Sequence, residues 1–496
     1  MAAKFSSVIC KVLLIVVTMV ALLFSSGLAD DGPGYEYCFL KCIDECNQTC
    51  LAQGGPAYEY CLLKCIDRYP VPQRSETHGR SEEILGRWLR ARRAPRDSVV
   101  LATKVAGPSG EMTWIRGGPA SLDSRNIVEA IDGSLRRLGV DYIDLYQIHW
   151  PDRSVEHGTM TMGEQSGLPE SLRLLDAAFD AGVNFFDSAE MYPVPQRSGT
   201  RGRSEEFLGR WLRARWAPRD SVVVATKVAG PSGQMTWIRG GPASLDSRNV
   251  GEAIDGSLRR LGVDYIDLYQ IHWPDRYVPM FGETEYDPSH QYMSVPMEEQ
   301  LIALGRAIDA GKIRYIGLSN ETPYGLMKFL QLSRDSQLHN NILTVQNSYN
   351  LLCRNFDAGL AECCHHERIS LLAYSPMAMG ILSGKYYSSD GSGPPDARMN
   401  LFKGRYSEGE SRYNLQNPKL KAAVKEYIKI AAKHGISPAI LAVAFVLRHP
   451  LVASAVFGAT KISQLTEVLQ ATRIHLSEEI VSEINEVHAR YPNPCP

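Results

Sequence analysis

The chain has almost no net charge and few cysteines outside one short segment. Its 496 residues carry a formal net charge of −2 at pH 7. No basic run interleaved with aromatic residues is present, so neither a polyanion nor a nucleic acid is predicted as a partner. The apolar (44%) and charged (22%) fractions are those of a globular protein with a large core.

The first residues differ from the rest of the chain. Lys4 and Lys11 precede an apolar run over residues 12–24, and small residues with a cleavage-site pattern follow at 27–29. This order predicts a secretory signal peptide over residues 1–29. A membrane anchor is the alternative, but the run is shorter than the roughly 20 residues that span a bilayer. We therefore expect no stable membrane span once the leader is removed.

Six of the eleven cysteines fall within residues 30–68, where we expect a small cysteine-rich helical segment. They are Cys38, Cys42, Cys46, Cys50, Cys61 and Cys65. Spacings of four residues place paired cysteines on one helix face, and after a signal peptide they predict a disulfide framework. A zinc site is the alternative, disfavoured because the stretch has no histidine. No metal site is predicted in the remainder of the chain.

A long internal repeat occupies the middle of the sequence. Residues 69–153 match residues 192–276 at all but eight of 85 aligned positions. Two near-identical copies indicate a tandem duplication or a misassembled gene rather than a solenoid, which needs more and shorter units. The predicted organisation is a signal peptide (1–29), a cysteine-rich segment (30–68), a partial duplicate of a barrel (69–153) and the barrel itself (154–490).

Strands and helices alternate from residue 154 onward, which predicts a parallel sheet. Seven short apolar segments are candidate strands: 183–186, 221–226, 265–271, 313–318, 342–346, 369–374 and 452–456. A first strand near residues 157–160 makes eight, the number that closes a (β/α)8 TIM barrel. Helical patterns lie between the strands. Pro169 opens one helix, and Ser437 is predicted as the N-cap of another.

Four polar residues fall near the carboxyl ends of successive strands, where a barrel of this kind holds its active site. They are Asp187, Tyr192, Lys227 and His272. Taken singly, a strand-end histidine is more often structural, and an aspartate–lysine pair is often only an ion pair. In this order, however, they have the parts that carbonyl reduction needs.

The chemistry assigns each residue a role. When hydride reaches a carbonyl carbon, charge develops on the oxygen, which must be polarised and protonated. Tyr192 is the predicted acid, and a nearby ammonium of Lys227 is expected to lower the pKa of its phenol. Asp187 keeps the buried lysine charged, and His272 orients the substrate oxygen.

The motifs that carry these residues resemble the catalytic motifs of aldo-keto reductases. They span residues 184–192, 225–227 and 269–272. The likeness extends over nearly all of residues 158–490 and is greatest to the branch that includes Tas-like reductases and potassium-channel β-subunits. It implies a reductase of aldehydes or ketones that uses NADP(H) and takes a small-molecule carbonyl substrate.

The resemblance also implies a set of cofactor contacts. The nicotinamide end would be held by Ser319, Asn320 and Gln346, with Tyr374 stacked on the ring. The loop over the pyrophosphate would include Ser375, Pro376, Met377, Gly380, Ser383 and Lys385. The adenosine-phosphate end would be bound by Arg398, Gly458, Thr460, Lys461, Gln464 and Glu467. A helix N-terminus beside Lys461 is suited to an anion.

The sequence departs from the family pattern at two positions. Val468 replaces an adenine-binding asparagine, and Gln464 replaces an arginine that many relatives direct at the 2′-phosphate. NADP remains the predicted cofactor. Substrate identity is not readable, although Trp273, Trp237 and Met280 are candidates to line an apolar pocket. The long polar loop over residues 277–292 is a candidate lid.

The first copy lacks an essential part of this pattern. Lys64 stands at the position that corresponds to Asp187, and strands five to eight have no counterpart after residue 153. Tyr69, Lys104 and His149 are therefore predicted to be inert.

Two alternatives to an enzyme remain open. One is a sensor like the channel β-subunits, and the other is a secreted cysteine-rich peptide fused to an inactive barrel. The leader points to the secretory pathway, whereas a nicotinamide-dependent barrel is typical of the cytosol or a plastid, so the compartment stays open, as does the oligomeric state.

Overall fold

The computed structural model describes residues 79–92, 96, 101–106, 124–148, 154–215, 218–335, 342–387 and 393–496. The predicted signal peptide, the cysteine-rich segment, Tyr69 and His149 lie outside the described residues. The chain divides into two compact units, Met1–Asp152 and Arg153–Pro496.

The described part of the first unit contains two helices and two strands. They are α1 (Arg80–Arg92), β1 (Ala102–Val105), α2 (Ser124–Leu138) and β2 (Leu145–Ile148). The two strands are parallel, and Ala102 lies opposite Leu145.

A buried glutamate joins the elements of the first unit. One carboxylate oxygen of Glu82, on α1, accepts a hydrogen bond of 2.5 Å from the Thr103 hydroxyl on β1. The other accepts one of 2.6 Å from Arg137 on α2. Gly86 brings α1 onto the end of α2, because a Cβ there would lie 2.5 Å from the carbonyl oxygen of Leu138.

The second unit is a closed eight-stranded barrel of parallel strands, as the alternating pattern predicted. Its strands are β3 (Ser154–Gly158), β4 (Phe185–Asp187), β5 (Val223–Val228), β6 (Ile266–Ile271), β7 (Ile313–Ser319), β8 (Ile342–Ser348), β9 (Ser370–Tyr374) and β10 (Val452–Phe457). The ring closes where β10 pairs with β3, with Ser454 opposite Ser154 and Phe457 opposite His157.

Helices surround this ring. They are α3 (Leu168–Asp180), α4 (Arg203–Arg215), α5 (Ser247–Leu261), α6 (Met297–Asp309), α7 (Pro323–Asp335), α8 (Leu360–Glu367), α9 (Arg398–Leu401), α10 (Ser407–Arg412), α11 (Pro418–Lys433), α12 (Pro438–Leu447), α13 (Ile462–Gln470) and α14 (Glu478–Arg490). The large apolar core lies between the outer faces of the strands and these helices. It positions the strand ends that carry the polar residues.

The first strand lies earlier than predicted. The sequence placed it near residues 157–160, but β3 covers Ser154–Gly158. The prediction began too late because Glu156 interrupts the apolar pattern of this segment, although its side chain is fully buried.

The predicted starts of two helices are confirmed. Pro169 lies in the first turn of α3. The Ser437 hydroxyl accepts a hydrogen bond of 3.2 Å from the amide of Ile440, and every residue of α12 after Pro438 is buried. Leu174, Leu175 and Ala178 of α3 are fully buried, and Phe179 is only partly buried.

No single helix within the described ranges is long and apolar enough to cross a membrane. Helices α11 and α12 reach the length and composition of a broken span only as a pair, and they meet at 95°. Both contribute side chains to the large core.

Candidate active site

The centre of the site is an ion pair inside the barrel. Asp187 is the last residue of β4, and Lys227 lies on the neighbouring strand β5. The ammonium of Lys227 pairs with one carboxylate oxygen of Asp187 and donates a hydrogen bond of 2.8 Å to the carbonyl oxygen of Ser188. Both side chains are almost completely buried. Because an isolated buried charge is very costly, each ion depends on the other.

Two side-chain amides complete the hydrogen bonding of Asp187. Gln270 donates to its second carboxylate oxygen at 2.9 Å, and Gln346 donates to the same oxygen at 3.2 Å. Gln346 was predicted as a cofactor contact, whereas Gln270 was noticed only as part of a motif. These amides satisfy the aspartate without adding charge.

Tyr192 and His272 lie above the ion pair. The Lys227 ammonium is 5.2 Å from the centroid of the Tyr192 ring. The rings of Tyr192 and His272 meet edge to face, with centroids 5.6 Å apart. The structure therefore brings all four predicted catalytic side chains together.

The pKa of the Tyr192 phenol moves in the opposite direction from the prediction. Lys227 was expected to lower it, but burial raises it, and the negative charge of Asp187 raises it further. The phenol consequently keeps its proton at neutral pH.

His272 is neutral in this environment. Burial, together with the charge of Lys227, holds the pKa of its imidazole well below the usual value. Its Nδ1 atom is buried and has no hydrogen-bond partner among the described residues. Because its imidazole is neutral and lies beside a protonated phenol, His272 is suited to orienting a polar group rather than to carrying charge.

A cleft of about 820 Å³ opens over these residues. Asp187, Tyr192 and His272 line it, whereas Lys227 lies beneath them. All sixteen predicted cofactor residues line the same cleft: Ser319, Asn320, Gln346, Tyr374, Ser375, Pro376, Met377, Gly380, Ser383, Lys385, Arg398, Gly458, Thr460, Lys461, Gln464 and Glu467. Residues from β4, β7, β8 and β9, and from loops after these strands and after β6 and β10, thus converge on one site.

The side of the cleft around Tyr192 is largely apolar. Trp273 and Met280 line it as predicted, but Trp237 packs behind the lining in the same cluster. The predicted lid over residues 277–292 contributes Met280 and Phe281, and the Ser411 hydroxyl on α10 donates a hydrogen bond of 2.6 Å to the Phe281 carbonyl oxygen.

A chain of hydrogen bonds runs along the opposite wall. Asn320 donates to the carbonyl oxygen of His272 at 2.8 Å, and its own side-chain oxygen accepts from the Tyr374 hydroxyl at 2.6 Å. Arg412 donates to that hydroxyl at 2.9 Å and to the carbonyl oxygen of Pro496 at 3.1 Å. Arg412 was not predicted, since nothing in its local sequence distinguishes it from a surface arginine of a short helix.

Cations collect at the far end of the cleft. Arg398 is half-buried, and no carboxylate of the described ranges forms an ion pair with it; its guanidinium donates to the sulfur of Met379 at 3.6 Å. Burial, and then the charge of Arg398, lowers the pKa of Lys385. Lys461 pairs at 2.9 Å with Asp396, an exposed carboxylate that was not predicted.

The loop after β9 adopts an unusual backbone. Ser375, Ala378 and Met379 all have positive φ angles, at 54°, 47° and 59°. Such angles are uncommon outside glycine and concentrate at ligand-binding loops. Gly380 continues the turn at φ 84°, where a Cβ would lie 2.8 Å from the Lys385 ammonium. The loop is therefore shaped to leave room beside a cation.

A second buried ion pair holds the loops around Tyr192. Glu190 pairs with Arg239 and accepts a hydrogen bond of 2.7 Å from the amide of Ala229. Arg239 also donates to the side chain of Asn249 at 2.8 Å. The contacts tie the loop after β5 to the loop after β4. Neither residue was predicted, because a Glu–Arg pair 49 positions apart has no local signature.

The first copy does not reproduce the ion pair within its described residues. Lys104 lies on β1 opposite Gln147, is half-buried, and has a pKa lowered by burial.

The geometry agrees with the comparison to known proteins. A model of the Aldo/keto reductase family matches residues 69–157 and 155–489. "Protein tas" of Escherichia coli (strain K12) is 43% identical over 339 residues, covering 68% of this chain and 95% of the relative. A "Probable voltage-gated potassium channel subunit beta" of Oryza sativa subsp. japonica is 31% identical over 337 residues, covering 66% and 90%. An "L-glyceraldehyde 3-phosphate reductase" of Escherichia coli (strain K12) is 30% identical over 315 residues, covering 62% and 80%. The chain belongs to the aldo/keto reductase family of oxidoreductases.

Proposed function

We propose that the chain is an NADP(H)-dependent reductase of small aldehydes or ketones. The observation that carries the proposal is the enclosed Asp187–Lys227 pair beneath Tyr192 and His272, which line the same cleft as Arg398, a cation with no ion-pair partner among the described residues. An apolar wall around the tyrosine suits a carbonyl substrate, and cations at the far end suit a phosphorylated cofactor.

The residues of the far end fit a phosphorylated dinucleotide. Arg398 lacks an ion-pair partner among the described residues, and Gly380 leaves space beside Lys385. Arginine and lysine are the side chains that bind phosphate oxygens, and a half-buried guanidinium needs an anion. Reduced NADP, when bound, supplies hydride to the carbonyl carbon.

The protein's own groups would manage the developing charge on oxygen. The Tyr192 hydroxyl donates its proton to that oxygen, and the neutral imidazole of His272 orients the carbonyl. Lys227 favours the resulting phenolate because its ammonium lies under the ring, and Asp187 keeps the ammonium charged. The raised pKa of the phenol ensures that the proton is present before reduction begins.

NADP is preferred over NAD because of the exposed end of the cleft. Lys461 precedes α13, so its ammonium and the amides of that helix face the region where a 2′-phosphate would lie. Gln464 is engaged locally, since its side-chain oxygen accepts hydrogen bonds from the amide and hydroxyl of Thr460 at 2.9 and 3.2 Å. It holds the loop of Thr460, while Lys461 supplies the charge.

We further propose that residues 154–490 form the catalytic domain and that residues 69–153 are an inert partial duplicate. The separation of the chain between Asp152 and Arg153 supports the boundary. Inertness follows from the missing carboxylate partner of Lys104, since Lys64 takes the corresponding position. The divisions at residues 29 and 68 rest on sequence alone.

A regulatory, cofactor-binding role is the second candidate, favoured by the likeness to a probable channel β-subunit. The full chain should be tested for quenching of NADPH fluorescence on binding and for NADPH oxidation with a panel of simple aldehydes. Binding with turnover at an enzyme-like rate supports the reductase. Binding with negligible turnover favours the regulatory role, and absence of both overturns the proposal.

A further inference from the structure

Glu156 points into the interior of the barrel. It lies on β3 opposite Val456 of β10 and is completely buried. Successive strand residues face opposite sides, so Glu156 shares its side with Gly158, which lines the cleft and pairs with Asp187. His157, between them, packs outward against Phe457. The carboxyl group therefore lies inside the ring, below the level of the catalytic ion pair.

Its surroundings offer little to a charged group. Neither carboxylate oxygen of Glu156 has a hydrogen-bond partner among the described residues. The apolar residues Ala225, Leu268, Leu372 and Val456 form a cluster inside the barrel. The charged groups that act on Glu156 are Asp187 from β4 and Lys227 from β5, and the residue opposite it on β10, Val456, is apolar.

These surroundings favour the neutral acid. Burial raises the pKa of Glu156 well above its usual value, and the negative charge of Asp187 raises it further; Lys227 opposes the shift only in part. In the neutral form, Asp187 is the single anion that faces Lys227. In the ionised form, two carboxylates would share one ammonium inside the barrel.

We propose that Glu156 is a positioning residue of the reductase site, whose proton keeps Asp187 as the only anionic partner of Lys227. The proposal rests on the proposed reductase function. Loss of the proton adds a negative charge below Tyr192, makes the phenol a weaker acid and draws the ammonium toward a second carboxylate. Reduction therefore declines as Glu156 ionises.

Ionisation of Glu156 should therefore lower kcat/KM at alkaline pH, in a range where Tyr192 still keeps its proton. Burial raises the pKa of the Tyr192 phenol, so the phenol does not ionise at mildly alkaline pH. A fall in kcat/KM there must come from another group, and Glu156 is the group placed to cause it.

The test is the pH profile of kcat/KM for aldehyde reduction by the full chain. Glu156→Gln, which mimics the neutral acid, should move the alkaline limb upward by about one pH unit or more, because the ionisation is removed. Glu156→Leu should do the same, so that a folding defect in one variant does not decide the result. Glu170→Gln, at a partly exposed glutamate on α3, is the control and should leave the limb in place.

A second readout does not depend on turnover. The infrared carbonyl band of a protonated carboxylic acid should be present in the wild type at neutral pH, disappear at alkaline pH and be absent from Glu156→Gln. Superimposable pH profiles for wild type and Glu156→Gln, or no such band at neutral pH, would overturn the proposal. Absence of turnover in the wild type would instead remove the reductase function, with the band still deciding whether Glu156 holds its proton.

Discussion

The ammonium of Lys227 lies 5.2 Å from the centre of the Tyr192 ring, on the side away from the open cleft. The lysine is enclosed by protein, whereas the tyrosine borders the cleft. A substrate can thus reach the phenol without reaching the charge that stabilises its phenolate. This separation makes the roles of the two residues experimentally distinguishable.

Removal of the phenolic proton should abolish reduction without affecting the cofactor end of the cleft. We expect Tyr192→Phe to reduce kcat/KM for aldehydes by roughly 100- to 10,000-fold, the range typical of a lost general acid. NADPH binding, measured by fluorescence quenching, should be nearly unchanged. Tyr69→Phe makes the same substitution in the first copy and should have no effect; a large loss there would show that the first copy takes part.

Removal of the ammonium should destabilise the barrel as well as the reaction. Lys227→Met leaves Asp187 buried beside no cation, at a cost of about 3–5 kcal/mol in the free energy of unfolding. Lys104→Met, at the equivalent place in the first copy, breaks no ion pair that the described residues contain and should cost less than about 1 kcal/mol. Urea denaturation followed by circular dichroism compares the two, and equal losses would contradict the assigned difference.

Acid should destabilise the barrel through His157. Burial lowers the pKa of its imidazole to about 4, from a usual value of 6.5. As pH falls through this range, the unfolded chain takes up a proton that the folded chain excludes, so stability decreases. A shift of this size is worth about 3 kcal/mol by pH 4. Thermal unfolding of His157→Phe should depend less on pH between 6.5 and 4 than that of the wild type, whereas parallel curves would exclude this cause.

The charge of Lys461 should distinguish the two nicotinamide cofactors. Lys461→Ala removes a cation near the proposed 2′-phosphate, and we expect the Kd for NADPH to rise about tenfold, as for one solvent-accessible charged hydrogen bond. Binding of NADH, which lacks that phosphate, should change little. Lys429→Ala, at an exposed lysine on α11, is the control. An equal rise in the Kd of both cofactors would show that Lys461 does not contact the 2′-phosphate.

The regular parts of the fold were predictable because their signals are local. Apolar segments separated by amphipathic helices indicated eight strands, and polar residues at strand ends indicated Asp187, Lys227 and His272. The ends of the strands were predicted less accurately. Asp187 and Ser319 lie one residue beyond the predicted strands, but they belong to β4 and β7 because the backbone pairing continues through polar residues.

Other features depend on contacts between residues far apart in the sequence, so no short sequence segment predicts them. Arg412 reaches Tyr374 across 38 positions, and Glu190 pairs with Arg239 across 49. The pKa of Tyr192 was predicted in the wrong direction because burial and the charge of Asp187, which raise it, arise only in the folded barrel. The first strand was predicted near residues 157–160, but it covers Ser154–Gly158 and includes the buried Glu156.

The junction of Glu82, Thr103 and Arg137 has a close counterpart in the barrel. Glu205 accepts hydrogen bonds of 2.6 Å from both Thr226 and Arg260, and Gly209 approaches the end of α5 as Gly86 approaches the end of α2. One arrangement forms beside two strands and the other within a ring of eight. The sequence shared by residues 69–153 and 192–276 therefore determines this local packing without the rest of the barrel. The four proposed catalytic residues, in contrast, do not all lie within the shared sequence: Tyr192, Lys227 and His272 belong to it, whereas Asp187 precedes it. The near-identity of residues 69–153 and 192–276 therefore extends to their local packing but not to the carboxylate partner of the lysine, since Lys64 stands at the position of Asp187.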